Sequence, residues 1–158
     1  FAPHHAEAMK TYLAKWPREL KVAVEFRHPG WFEGGHEAEA VWGLMKDLGV
    51  GGVISDTAGR RDALHMRVTA PFVLVRFGGY EGHASDEARL DAWAQRIASW
   101  QNEGLEEFHL LVHQPDSVHT PETSRQFARL VHARAGLKVK APVDVGGGSD
   151  GANLFSGF

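Results

Sequence analysis

Apolar and polar positions recur along this chain in two rhythms, and their succession predicts an α/β protein. Short alternating or continuous apolar runs at Lys21–Phe26, Val50–Ser55, Phe72–Phe77 and Glu107–His113 each predict a strand. Helical spacing falls around and between them. Met9, Leu13 and Trp16 place a helix at Ala6–Trp16, which Pro17 ends. Val41, Leu44, Met45 and Leu48 share one face of Glu37–Leu48, with Gly49 as its C-terminal cap. Leu90, Trp93, Ile97 and Trp100 form the buried stripe of a helix that Ser85 caps, Asp86 and Glu87 open and Gly104 closes. Thr120 caps a last helix with Pro121 in its first turn, and Phe127, Leu130 and Val131 face inward. Four strand-then-helix units of this length argue for right-handed crossovers and a parallel sheet.

Where these strands end, charge appears. The first runs into Glu25, Arg27 and His28 before Pro29-Gly30 stops it; the second ends at Ser55-Asp56, the third at Val75-Arg76. Ligands of parallel α/β proteins gather at the C-terminal ends of strands. Alternation puts Val22, Val24 and Phe26 on one face of the first strand, and Ala23, Glu25 and Arg27 on the other. Arg76 shares a face with Phe72 and Leu74, and Gly59 makes the loop holding Arg60, Arg61 and Asp62 pliable. A guanidinium offers a planar fork of donors to carboxylate or phosphate, and a carboxylate can orient it or move a proton. A rim of Glu25, Arg27, Asp56, Arg61 and Arg76 would therefore hold a small anionic ligand. The competing reading is that these groups pair with one another and fill the polar end of the sheet.

Composition narrows the choice. A chain of 158 residues with 43% apolar and 23% charged residues suits one soluble domain with a sizeable core. Net charge is −3, so no global positive field draws it to nucleic acid or membrane. Without cysteine there is no disulfide, thiolate catalysis or thiolate-bound metal. No apolar run approaches the roughly 20 residues that span a bilayer, and no signal peptide opens the chain, so a cytoplasmic location is expected. Because Phe1 rather than methionine comes first, an upstream segment is expected. From Gly136 onward glycine dominates, and residues 136–158 read as a flexible tail after a folded unit of residues 1–135.

Other chemistries fit less well. His109 and His113 are four apart, which on a strand separates them by about 13 Å, too far for one ion. His28, Asp56 and His113 would converge only if three strand ends met, so no metal or cofactor is assigned. No nucleophile elbow, Walker loop or dinucleotide fingerprint occurs. Trp31, in the loop after the charged strand, would stack on a ligand or seal the mouth of the sheet.

Three motifs in this order, AVEFRHPGWF at Ala23–Phe32, SDTAGRRD at Ser55–Asp62 and VRFGG at Val75–Gly79, resemble the YecE-like family, also called domain of unknown function 72. The resemblance spans about residues 1 to 135. It implies that the chain is the C-terminal half of a TIM-type barrel, and that Glu25, Arg27, His28, Trp31, Asp56, Arg61, Asp62 and Arg76 occupy the family's polar positions. Three positions depart from the family pattern: Gly30 stands where serine is common, Gly78 near a frequent histidine, and His113-Gln114 where paired asparagines occur.

The expectation is an uncharacterised barrel, enzyme-like and suited to hydrolysis of a phosphorylated substrate. Arg27, Arg61, Arg76, Asp62 and Trp31 would bind the ligand; Glu25 or Asp56 would carry the proton, with His28 in reserve. The alternatives are a non-enzymatic module for nucleic acid backbone or a protein partner, and a metal-dependent phosphoesterase. Four parallel strands alone leave two open edges and a bare face, so a missing N-terminal half is expected, or failing that a homodimer partner.

Overall fold

The computed structural model describes residues 1–143; the glycine-rich stretch from 144 to 158 lies outside the described residues. Helix α1 (Ala6–Ala14) precedes strand β1 (Ala23–Val24), and then follow α2 (His36–Leu48), β2 (Gly51–Thr57), β3 (Phe72–Gly78), α3 (Ala84–Asn102), β4 (Glu107–His113) and α4 (Thr120–Ala135). The strands lie in the order β1-β2-β3-β4 and every pairing is parallel. Ala23 registers with Gly51, Val53 with Leu74, and Phe72 with Glu107.

The expected strand over Lys21–Phe26 is a regular ladder only at Ala23–Val24. Beyond Val24 the chain stays beside β2 through the side chain of Glu25 rather than through backbone pairing. Of the four strand-then-helix units expected, that of β2 lacks its helix. Between β2 and β3 there is no helix, and residues 58–71 cross the helix-bearing side as an extended strap. His65 anchors it by a 3.1 Å hydrogen bond to the Val53 carbonyl, and Thr69 by one of 2.7 Å to the Val50 carbonyl. Arg67 pairs with Glu39 and lies over the Trp42 ring. The crossover has no helical apolar spacing, which is why no helix forms there.

Two caps also differ from expectation. His83, not Ser85, caps α3, its Nδ1 accepting from the Ser85 amide, and Thr120 is the first residue of α4 rather than its cap. Gly49 and Gly136 do end α2 and α4 in the left-handed conformation.

All four helices cover one face of the sheet. Phe26, Trp31, Val41, Trp42 and Met45 form one buried cluster with α1; Ile54, Val75, Phe77, Leu90, Trp93, Ile97, Phe127 and Val131 form the other. Gly52 matters for the first, because a Cβ there would lie 2.7 Å from the Trp42 ring. On the opposite face the odd-numbered residues of β4 carry no cover, and Leu111 is 54% exposed.

Candidate functional site

At the C-terminal ends of the strands, Glu25 is the meeting point. Its Oε1 accepts a 2.7 Å hydrogen bond from Ser55 Oγ on β2 and one of 3.1 Å from Arg76 Nε on β3, whose Nη2 forms an ion pair with it at the same distance. Arg27 donates to the same carboxylate from Nε and Nη2, each at 3.3 Å. Burial alone would raise the Glu25 pKa and is the largest single influence; the Ser55 and Arg27 hydrogen bonds and the Arg76 charge together outweigh it and hold the carboxyl below its usual range. The group is thus an ionised acceptor at neutral pH.

Around it lies a cleft of about 160 Å³, lined by Glu25, Arg27, Ser55, Thr57, Arg60, Asp62, Ala63 and Arg76. Arg60 and Asp62 pair at 3.0 Å on its far wall, both well exposed, and the Arg60 hydrogen bond keeps the Asp62 carboxyl below its usual range. Three guanidinium groups and two carboxylates line the wall, and Arg27 and Arg60 leave most of their donors open to solvent.

Not every expected residue enters this cleft. Asp56 follows Ser55, so its side chain leaves the opposite face. It is buried, and it accepts from Arg89 Nη1 at 3.0 Å and from Trp93 Nε1 at 2.8 Å, both on α3. Arg89 is held further by Asp86 at 2.9 Å and by the Gly78 carbonyl, and lies over the Phe77 ring. Asp86 in turn accepts from the Tyr80 amide and from Gln114, whose other contacts are the Glu81 amide and Thr123. Asp56 therefore orders the base of the rim and does not share a ligand with Glu25.

Arg61 stays at the border, 3.8 Å from Asp56 and largely exposed, so Arg60 takes the wall position expected for it. His28 is exposed outside the cleft, its Nδ1 accepting from the Gly30 amide and capping the turn Pro29–Trp31. Trp31 is fully buried. It stacks on Phe26 at 4.4 Å and donates from Nε1 to the Phe1 carbonyl, so no ligand reaches its ring. His109 and His113 both sit on β4 facing the bare side, and among the described residues no three histidine, aspartate or glutamate side chains converge as a metal site.

Ser55, Arg60 and Gln114 appear above only as a strand end, a loop residue and a departure from the family pattern, with no role at the site, and Arg89 does not appear. Ser55 shares its face with Gly51 and Val53, and β2 runs beside Glu25, so alternation was the available signal. For Arg89 the signal was a charged pair, Asp86 and Arg89, on the same helical stripe as Trp93.

Residues 1–144 match the family described as "Protein of unknown function DUF72". The chain belongs to that family. UPF0759 protein YecE of Escherichia coli K12 is 29% identical over 77% of this chain and 51% of its own length, and its counterpart in strain O157:H7 gives the same figures. Among solved structures, a DUF72 family protein from Enterococcus faecalis V583 superposes with a TM-score of 0.61 at 16% identity, covering 82% of this chain and 55% of that one. Another, from Thermotoga maritima MSB8, gives 0.57 at 18% identity, covering 84% and 53%. These likenesses show the α/β fold. The chain spans about half the length of the DUF72 relatives it matches.

Among the described residues no helix is long and apolar enough to cross a membrane.

Proposed function

We propose that the chain binds a small anionic ligand, a phosphate monoester or a similar oxyanion, in the cleft around Glu25. The observation that carries this reading is the convergence of Glu25 just after β1, Ser55 from β2 and Arg76 from β3 at the C-terminal end of a parallel sheet. That is where α/β proteins of this architecture bind ligands.

Each part has a role. Arg76 is fixed by Glu25 and offers its remaining donors to the cleft. Arg27 and Arg60 are unencumbered enough to close on an oxyanion, which guanidinium forks grip in bidentate fashion. Ser55 donates to Glu25 in the free protein and would turn to a ligand oxygen when one arrives. Being ionised, Glu25 can accept a proton but has none to give, so in a hydrolytic reaction it would act as a base or an electrostatic anchor. The family resemblance, the sequential parallel strand order and the one-sided helical layer support reading these units as the second half of a TIM-type barrel.

Titration calorimetry with inorganic phosphate and with a sugar phosphate tests this. Binding should weaken about tenfold in Arg27→Ala and again in Arg60→Ala, since each removes one charge-assisted contact worth about 1.4 kcal/mol. Both residues are exposed, so neither change should lower the melting temperature. No heat and no thermal shift with either anion sinks the proposal. Affinity for a DNA duplex that falls steeply with salt and is unaffected by these two changes would favour a backbone-binding module instead.

A further inference from the structure

The strap between β2 and β3 ties the cleft to a buried histidine. Arg60, Asp62 and Ala63, which wall the cleft, lie where the strap leaves β2, and the Arg60 amide donates back to the Thr57 carbonyl. Two residues beyond Ala63, the His65 ring is buried on the helix side. It stacks on Phe32 and meets Trp42 edge-on, each at 5.1 Å between ring centres. Beneath it is Gly52, where a Cβ would lie 3.5 Å from the His65 Cε1. Thr57 thus holds the wall from one end and His65 from the other.

Both ring nitrogens are committed. The Val53 carbonyl can only accept, so Nε2 carries the hydrogen and donates to it at 3.1 Å. The Arg67 amide can only donate, so Nδ1 is bare and accepts from it at 3.2 Å. This is the neutral ring in a single tautomer. A second proton would go to Nδ1 and face the Arg67 N–H, donor against donor. The cation would also be short of company. Phe32, Trp42, Gly52 and Val53, which enclose the ring, carry no charge. On the strap, Arg67 acts against the cation, and its guanidinium is paired with Glu39 of α2. Lys46, farther along α2, lies by Val68 and Ala70. Among the described residues no carboxylate bonds to the ring.

We infer that neutral His65 latches the strap and that a proton on its ring unlatches it, loosening the Arg60–Asp62 wall so that mild acid weakens the grip of the cleft on an anion. This rests on the anion reading of the cleft and adds its regulation. An unlatched strap gives the ring to water, where it titrates near 6.5. A latched strap keeps it neutral down to about 4, burial contributing most and the Val53 bond opposing it. Acid therefore favours the open strap below about pH 6.5, and the ratio of open to closed rises by up to about 300-fold towards pH 4. Thr69, bonded to the Val50 carbonyl, holds the far end, so the opening is local. Linkage also runs in reverse: an anion that engages Arg60 keeps the strap closed.

Hydrogen exchange of the 158-residue chain, read by mass spectrometry at pH 7, 6 and 5, tests the latch. Exchange of strap amides relative to those of β3 should rise as pH falls in the wild type and stay level in His65→Gln. The glutamine amide can donate to Val53 and accept from Arg67, but it does not titrate. Sulfate, whose charge is constant over this range, probes the cleft by calorimetry. From pH 7 to pH 5 its affinity should fall by up to about tenfold in the wild type, the contribution assigned to Arg60. In His65→Gln it should not fall by that margin; the other histidines titrate alike in both proteins, so the difference isolates His65. Saturating sulfate should slow strap exchange at pH 5. Should His65→Gln fail to fold, the wild-type exchange ratio and its response to sulfate decide. Strap amides that keep pace with β3 at every pH overturn the latch. Opening with undiminished sulfate affinity overturns its coupling to the cleft. Absence of sulfate binding at pH 7 defeats the anion reading and the regulation with it, while the exchange ratio still reports the latch.

Discussion

Ser55 and Asp56 are consecutive, yet they serve two sites of opposite character. Ser55 turns to the bare face and meets Glu25, Arg76 and Arg27, half-open to water with guanidinium donors to spare. Asp56 turns to the helices and meets Arg89 and Trp93, where almost every polar atom is satisfied internally. The residue types are the same in both places: a carboxylate and arginines near strand ends. Satisfaction separates them. A closed network fixes structure, because its groups have nothing left to offer a ligand, whereas an open one retains donors. Only Arg89 Nε is buried without a partner in the closed network, and the Phe77 ring beneath the guanidinium offsets part of that cost.

The sharpest way to break this contrast is to remove one partner on the closed side. Asp56→Leu removes one of the two carboxylates holding the buried Arg89 and leaves the Trp93 indole N–H without an acceptor, so it should destabilise the fold by about 2–4 kcal/mol, Asp86 retaining part of the pairing. Urea unfolding measures it. A loss below about 1 kcal/mol would mean that the Asp56 network is as loosely held as the Glu25 cleft.

His65 supplies the pH counterpart. Burial against Phe32 and Trp42, opposed by the hydrogen bond to Val53, drives its pKa down to about 4. The unfolded chain, with a pKa near 6.5, binds the proton more readily. Stability attributable to His65 is therefore complete above about pH 6.5 and is lost as pH falls towards 4, by roughly 3 kcal/mol in all. Glu25 titrates below its usual range, so its contribution disappears only at lower pH. Denaturation midpoints between pH 7 and pH 4 should show the slope, and His65→Phe should flatten it whatever its effect on absolute stability.

Gly79 probes the closed side from the loop. A Cβ there would sit 2.3–2.5 Å from the amide of Gln114, which is buried and bonded to Asp86 and Thr123. Gly79→Ala should cost about 1–3 kcal/mol by forcing that amide aside. The same change should leave phosphate affinity at the cleft within a factor of about two, because Gly79 does not line it.

How much of this could be read from the chain divides along the same line. Parallel strands, the buried stripes of α2, α3 and α4, and the pairing of Glu25 with Arg27 and Arg76 all follow from alternation and periodicity, which act over a few residues. What escaped depends on contacts distant in sequence. Asp56 was placed at the rim because it ends a strand, although alternation sends it away from Ser55's side. Position alone leaves Trp31 free either to stack on a ligand or to seal the mouth of the sheet; the distant Trp42 and Phe1, which enclose it, exclude the first. The strap over residues 58–71 has no periodicity to betray its path. It is held by His65 and Thr69 bonding to the carbonyls of Val53 and Val50.

The mildest test acts on the open side. Glu25→Gln keeps the shape and one acceptor but removes the charge that holds Arg76, Arg27 and Ser55. Because the group is partly exposed and its ion pairs are solvated, stability should fall by less than about 1 kcal/mol. Ligand binding should move the other way. With one negative charge gone, the cleft carries three guanidinium groups against the single carboxylate of Asp62, and phosphate affinity should rise by about three- to tenfold, an effect that salt screens. Catalysis, if a phosphate ester is turned over, should fall in the same variant, since the base is lost while binding improves. A Gln variant that binds phosphate more weakly would show that Glu25 is needed to hold the arginines in place, and the cleft would then belong with the closed network as a self-satisfied part of the scaffold.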